Sequence, residues 1–105
     1  MLGSNYNVHV DTAAYDKMFD HIRFLAQVSI SAAERLYGDL TESIDFLKSS
    51  PASCPLYLSV RLKDVELHYK LCGKRYRIVF EIIGNDVFVY DIQDCRQDTD
   101  KSLVD

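Results

Sequence analysis

The chain has 105 residues, of which 48% are hydrophobic and 27% are charged, values typical of one soluble globular domain. Its formal net charge of −4 argues against a protein that coats nucleic acid through bulk electrostatics. The apolar runs are too short to span a bilayer and no leader pattern opens the chain, so we expect a cytoplasmic protein. We expect residues 1–105 to form a single domain, with flexible ends at 1–5 and 98–105.

The cysteines Cys54, Cys72 and Cys95 are odd in number, widely spaced and without a C-x-x-C pair. This pattern fits neither a disulfide framework nor a zinc site, so we expect reduced thiols. The sequence also lacks a Gly-rich phosphate loop, a Ser-His-Asp arrangement and a spacing typical of metal ligands. We therefore expect no cofactor and no metal.

The first part of the chain predicts a strand and a helix. Tyr6, Val8 and Val10 alternate with polar residues, as in a short strand with one apolar face. Asp11 or Thr12 is placed to cap the helix that follows. The apolar stripe of this helix recurs at helical spacing and comprises Tyr15, Met18, Phe19, Ile22, Leu25 and Ala26.

A second helix is predicted after an interruption at Gln27–Ile30. Ser31 and Glu34 have the spacing of a capping box, so Ser31 is the expected cap. The apolar stripe consists of Leu36, Tyr37, Leu40, Ile44 and Leu47, and the helix should stop at 49–51. Because the link between the helices is short, we expect them to pack as an antiparallel hairpin.

The second half of the chain predicts strands. Residues 56–63 fit either a loop or an edge strand whose apolar side would be Leu58, Val60 and Leu62, and both interpretations stay open. Leu67–Leu71 predicts a strand, and 72–74 predicts a tight turn. Tyr76–Ile83 and Val87–Ile92 alternate in hydrophobicity around 84–86 and predict a β-hairpin. The apolar side of its first strand is Tyr76, Ile78, Phe80 and Ile82.

This order of elements predicts an α+β fold. An N-terminal strand, which should pair with the hairpin, and an antiparallel helical hairpin precede a three- or four-stranded antiparallel sheet. The helices would cover one face of the sheet and leave the other to a partner or a ligand. Asp94–Asp105 predicts a polar tail, and we expect Asp91, Asp94, Asp98 and Asp100 to be solvated.

Positive charge is concentrated in one segment of this acidic chain. Between residues 61 and 77 the bases outnumber the acids Asp64 and Glu66 and give a local charge of +4. The candidate residues for contact with a partner are these bases and one more arginine: Arg61, Lys63, Lys70, Lys74, Arg75, Arg77 and Arg96.

Two motifs in this order resemble the RelE/ParE superfamily of bacterial toxins from type II toxin–antitoxin modules. Tyr76-Arg77-Ile78-Val79-Phe80 is similar to the family's Tyr-Arg-(Ile/Leu)-Val-(Tyr/Phe) strand, which is followed by a hairpin and an arginine. Ala33, the leucine-rich stripe after it and Pro51 resemble the family's second helix. The resemblance spans about Tyr6 to Arg96.

The resemblance implies one of two activities. RelE-like members are ribosome-dependent endoribonucleases that cut mRNA, whereas ParE-like members poison DNA gyrase without a known catalytic site. Members of both kinds are silenced by an antitoxin that wraps the toxin. By position, Arg77 matches the strand arginine, Arg96 the arginine after the last strand, and Lys70 and His68 two basic positions of the nuclease. In a nuclease, His68, Lys70 and, depending on the pleat and twist of the sheet, Arg77 would line one surface.

Three observations favour the ParE-like interpretation: the acidic net charge, the helix pattern from Ala33 to Pro51, and one departure from the nuclease pattern. RelE-like enzymes carry a catalytic tyrosine near the C-terminus, and residues 98–103 contain none. We therefore expect a toxin that binds gyrase and a cognate antitoxin, with homodimerisation open. The alternatives are a RelE-like nuclease acting on ribosome-bound mRNA, and a degenerate, non-toxic interaction partner. A structural role for Arg77, in an ion pair with Glu81 or a cross-strand acid, also stays open.

Overall fold

The structure is a computed structural model that describes residues 6–57, 65–73 and 75–95. Its α+β class agrees with the sequence prediction. In chain order the described elements are β1 (Asn7–Val10), α1 (Thr12–Ala26), α2 (Ile30–Phe46), a 3-10 turn (Pro51–Ser53), β2 (Leu56–Tyr57), β3 (Leu67–Cys72), β4 (Tyr76–Ile83) and β5 (Asp86–Asp94). Neither helix in this part of the chain is long and apolar enough to cross a membrane.

The strands form one mixed sheet in the order β1-β5-β4-β3-β2. The N-terminal strand pairs with the hairpin as predicted, but β1 runs parallel to β5, while the other pairs are antiparallel. The prediction of a three- or four-stranded antiparallel sheet is therefore incomplete. A parallel pair needs a long connection, and here the connection is the whole chain between the first and last strands.

The helices pack against one face of this sheet, which we call the helix face. Residues that alternate along the central strands supply its buried side chains, because successive side chains of a strand point to opposite faces. These are Tyr76, Ile78 and Phe80 from β4 and Val87, Val89 and Ile92 from β5, in one core with Ala14, Met18, Leu36 and Leu40 from the helices. The apolar side predicted for Tyr76–Ile83 is thus confirmed.

A bulge in β5 changes which residues reach the other face, which we call the open face. Val79 pairs with Asp91 and Phe80 pairs with Val89, so Tyr90 has no residue opposite it. After Tyr90 the alternation of β5 is shifted by one residue. Asp91 consequently lies on the face away from the helices.

The helix caps agree with the sequence prediction at one helix and not at the other. Asp11 caps α1, since its side chain accepts a hydrogen bond from the backbone N–H of Ala13 at 3.1 Å. The prediction of Ser31 as the cap of α2 is wrong: Ser29 has an extended backbone, and its hydroxyl accepts from the N–H of Ala32 at 3.2 Å. A capping serine needs non-helical φ and ψ, and Ser31 lies inside the helix.

The turns before and after β4 place the central strands. The hairpin predicted around 84–86 is confirmed as a connection of two residues between Ile83 and Asp86, where Gly84 has a φ of 61°. Gly73, in the turn after β3, has a φ of 65°. Of the open region 56–63, Leu56–Tyr57 is a strand. Leu58, Val60 and Leu62 lie outside the described residues.

Candidate functional site

Arg77 lies on the open face, as the second residue of the central strand β4. Its Nε donates a hydrogen bond to the side-chain oxygen of Gln93 at 3.0 Å. The guanidinium lies 5.3 Å from the ring centre of Tyr57 and 5.8 Å from that of Tyr69. An aromatic ring near the guanidinium stabilises its positive charge electrostatically. The N–H groups of the guanidinium can still donate hydrogen bonds in the plane of the group. The structure therefore holds the guanidinium in place from three sides.

Gln93 connects this arginine to a buried polar network. The Gln93 side chain has no exposed surface, and its amide nitrogen donates to the Tyr57 hydroxyl at 3.2 Å and to the Asp91 carboxylate at 3.2 Å. The other carboxylate oxygen of Asp91 lies 3.1 Å from Nζ of Lys17 and accepts from the backbone N–H of Ile92. We call this set the Arg77 cluster: Lys17, Tyr57, Tyr69, Arg77, Asp91 and Gln93.

The edge of β5 explains how α1 reaches this cluster. β1 pairs with Asp86–Val89 and ends there, so the backbone of β5 beyond Val89 needs other partners. α1 supplies them, because Nε2 of His21 lies 2.8 Å from the carbonyl oxygen of Ile92. Lys17 stands one turn earlier on the same helix and reaches Asp91.

His68 and Lys70 lie on one surface as expected, but the expectation that Arg77 joins them is wrong. In the β3–β4 register His68 is opposite Phe80 and Lys70 is opposite Ile78, both on the helix face, whereas Arg77 is opposite Leu71. The ring of His68 stacks on Phe80 at 5.6 Å between centroids. An alternating strand cannot bring residues of opposite parity to the same face.

The other basic candidates are not gathered into one surface by the described residues. Nζ of Lys70 lies 4.9 Å from the ring centre of Phe46, on the helix face. Arg75 lies 3.7 Å from the carboxylate of Asp94 and 5.3 Å from the ring centre of Tyr76. Four candidates lie outside the described residues: Arg61, Lys63, Lys74 and Arg96.

Two acids predicted to be solvated are buried instead. Asp91 is 7% exposed and Asp94 is 2% exposed. Each carboxylate has a cation close to it, Lys17 for Asp91 and Arg75 for Asp94, which offsets part of the cost of burial. Asp98 and Asp100 lie outside the described residues.

Glu81 does not form the ion pair proposed for it with Arg77. Its carboxylate accepts a hydrogen bond from the Tyr90 hydroxyl at 2.7 Å. This hydrogen bond, with desolvation and the charges of Glu81 and Asp11, raises the pKa of Tyr90 to about 12. The cross-strand partner of Arg77 is thus the neutral Gln93 rather than an acid.

The remaining open face is aromatic and acidic. His9 stacks on Phe88 at 4.9 Å between ring centroids, and its Nε2 lies 2.9 Å from the carboxylate of Asp86. That hydrogen bond is the main reason why the pKa of Asp86 is below its usual value. With Glu81 and Asp91 also on this side, the face does not attract a phosphate backbone electrostatically. In the described ranges, no three His, Cys, Asp or Glu side chains are arranged around a common metal position.

Sequence reasoning missed most of the Arg77 cluster. The alternation of β3 predicts the face on which Tyr69 lies, because Tyr69 is two residues from both Leu67 and Leu71 and so shares their face. No sequence signal reveals Gln93 or Asp91, because their orientation depends on the bulge at Tyr90. A scan against models of known protein families gives no match for this chain, and no curated protein is significantly similar to it in sequence.

Proposed function

We propose that this chain is a ParE-like toxin of the RelE/ParE superfamily, which inhibits growth by binding DNA gyrase and is neutralised by a cognate antitoxin. Two observations support the family. The strand Tyr76–Phe80 resembles the family's Tyr-Arg motif, and the order of strand, helical hairpin and antiparallel hairpin is the order that this resemblance implies. Both concern the fold, so the mechanism has to be argued from the site.

The observation that carries the choice of mechanism is the separation of the basic residues by the sheet. Cleavage of RNA through its 2′-hydroxyl needs a base and cationic groups around one phosphate. Here His68 and Lys70 contact Phe80 and Phe46 on the helix face, and Arg77 lies on the other side. A single phosphate cannot contact both groups, which favours a binding protein over a nuclease.

The bonding of Arg77 also favours binding. Its Nε is engaged by Gln93, and its faces are covered by Tyr57 and Tyr69. A guanidinium fixed in this way stabilises the conformation of the surface around it. If it moved, the side-chain amide of the buried Gln93 would lose a hydrogen bond. Arg77 would then support the partner-binding face as a positioning residue.

The open face offers apolar area to a protein partner. Leu71 is 50% exposed and Ile83 is 52% exposed. The strand registers place both side chains on the same face of the sheet as Arg77. Leu71 is opposite Arg77 near one end of β4, Ile83 is at the other end, and Tyr90 adds an exposed ring at Glu81. Exposed apolar side chains along one sheet face offer contacts to a protein partner. We propose that the antitoxin covers this face.

Two other functions are distinguished by experiment. The first is a RelE-like nuclease using Arg77, Arg96, Lys70 and His68 on ribosome-bound mRNA. The second is a degenerate member that has kept only an interaction with a partner. The test is to induce the full chain in a bacterial host, and to compare DNA breaks and SOS induction with mRNA 5′ ends mapped inside translated frames.

We expect growth arrest with DNA breaks and intact mRNA. Arg77→Ala should reduce gyrase inhibition by about tenfold, the effect of losing about 1.4 kcal/mol of binding energy. Arg23→Ala is the matched control, because Arg23 is an exposed arginine on α1 that pairs only with Asp20 among the described residues. Codon-specific cleavage with intact DNA would identify a nuclease, and normal growth with soluble, folded protein would identify the degenerate member.

A further inference from the structure

A cleft of about 350 Å³ lies on the helix side of the molecule, where α2 meets the turn between β3 and β4. It is separated from the Arg77 cluster by the sheet, since its lining includes Tyr76, which faces the helices. Its size is near the lower end of the range of about 300–1,000 Å³ that is typical of small-molecule sites. Its lining includes Leu25, Leu36, Tyr76, Arg35, Asp39 and Arg75.

The cleft combines an apolar surface with cations from two different elements. Leu36 and Tyr76 are buried, and Leu25 is half-buried beside them. Arg35 comes from α2, whereas Arg75 follows the turn in which Gly73 adopts a φ of 65°. That left-handed backbone is readily available to glycine and lets the chain reverse tightly enough to bring Arg75 beside α2.

Arg75 is fixed in orientation but has spare hydrogen-bonding capacity. Its guanidinium lies 5.3 Å from the ring centre of Tyr76, and one terminal nitrogen is 3.7 Å from the carboxylate of the buried Asp94, too far for a hydrogen bond. Its Nε is buried and has no hydrogen-bond acceptor in the described part of the chain. Because Nε is buried, a ligand would meet the terminal nitrogens of the partly exposed guanidinium, and these are suited to bind an oxyanion.

The charged side chains around the cleft indicate which net charge of a ligand the site favours. Arg35 and Asp39 are both exposed on α2, four residues apart, and no ion pair joins them in the described structure. Two arginines and one aspartate line the cleft, and Asp94 lies 3.7 Å from Arg75, so the local formal charge is zero. The two arginines can still donate hydrogen bonds to one carboxylate, whereas a phosphate dianion would be repelled by Asp39. The rest of the ligand should be apolar, because it packs against the apolar lining of the cleft.

We infer that this cleft binds a small monocarboxylate with an apolar body. The carboxylate contacts Arg35 and Arg75, and the hydrocarbon part packs on Leu25, Leu36 and Tyr76. The inference does not depend on the proposed toxin function, because these residues lie on the side of the sheet opposite Arg77. It assigns a small-molecule site to a surface that the proposed partner leaves uncovered.

The test is a titration of the ¹⁵N-labelled full chain with 3-phenylpropionate, in which the NMR chemical shifts of the backbone amides are measured. We expect saturable shifts at Ala32, Gly73 and Tyr76, which line the cleft, and none at Gly84, in the turn at the far end of β4. The neutral isostere 3-phenylpropanamide should bind about tenfold more weakly, because it lacks the charge-assisted bonds. Inorganic phosphate should give no saturable shifts at these amides.

Two variants and one control complete the experiment. Arg35→Gln should weaken 3-phenylpropionate binding by about tenfold, and Arg75→Gln by at least as much. Since Arg75→Gln also removes the cation 3.7 Å from the buried Asp94, Arg35→Gln, on an exposed helix position, decides the result if the other variant unfolds. Lys48→Gln, beyond the opposite end of α2, should bind like the wild type. Equal binding of the amide, equal binding of phosphate, or full affinity in Arg35→Gln would each overturn the inference.

Discussion

Arg77 and Gln93 are opposite each other on β4 and β5, and their side chains are joined by a hydrogen bond of 3.0 Å. The bond connects a half-buried cation to a side chain with no exposed surface. Through Gln93 the arginine is linked to Asp91 and from there to Lys17 of α1. One network thus ties the central strands to the first helix.

Gln93→Leu should destabilise the protein strongly. The substitution keeps the volume but leaves Nε of Arg77 and the Asp91 carboxylate short of partners, at a cost of about 2–4 kcal/mol in the free energy of unfolding. Urea unfolding followed by circular dichroism measures it. Gln27→Leu, at an exposed helix end, is the control and should change stability by less than about 0.5 kcal/mol. Similar midpoints for the two variants would show that the network does not stabilise the fold.

Two glycines should respond in opposite directions to replacement by alanine. Gly38 is exposed inside α2 and has open space around it, so Gly38→Ala should raise the free energy of unfolding by about 0.5–1 kcal/mol. Gly84 also has open space but a φ of 61°, so Gly84→Ala should lower it by about 1 kcal/mol through backbone strain alone. Thermal and urea unfolding of the pair check this. Shifts of the same sign would mean that the turn at Gly84 is not left-handed.

Tyr90 should remain protonated at a pH where ordinary tyrosines ionise. Its pKa is raised to about 12, chiefly by the hydrogen bond that it donates to Glu81. Because the folded-state pKa lies above the unfolded value of about 10, the bond's stabilisation is complete below pH 10 and is lost between about pH 10 and 12. Absorbance titration at about 295 nm, with Tyr90→Phe subtracted, measures the ionisation. Glu81→Gln should lower the pKa of Tyr90, and an unchanged value would contradict the assigned cause.

The cysteines should differ in reactivity. Burial raises the pKa of the Cys54 and Cys72 thiols, whereas Cys95 is only half-buried. Since the thiolate is the reactive form, a disulfide reagent at pH 8 should modify Cys95 at least about tenfold faster than the other two. Mass spectrometry of the labelled peptides assigns the sites, and unfolding in urea should equalise the rates. Rapid native labelling of Cys72 would show that the strand end at β3 opens easily.

The secondary structure could be predicted closely because it depends on local side-chain patterns. The alternation in Tyr76–Ile83 reports which side of the strand avoids water, and the structure buries that side. The helical spacing from Tyr15 to Ala26 is confirmed only in part, because Met18 is buried while Tyr15 is 46% and Phe19 is 42% exposed. The cap of α2 was misplaced by two residues because Ser29 and Ser31 are chemically equivalent. Which of them has the extended backbone is decided by how the link from α1 enters the helix.

The sequence by itself determined both helices, the strands other than β2, the α+β class and the apolar side of the strand that carries Arg77. Only the tertiary structure decided the parallel pairing of β1 with β5 and the bulge at Tyr90, and hence the orientation of Asp91 and Gln93. The physical reason is one of range. Alternation records whether a side chain is turned towards water, whereas strand partners and register depend on contacts between residues far apart in the chain. The Arg77 cluster is built from such contacts, since its members come from α1, β2, β3, β4 and β5.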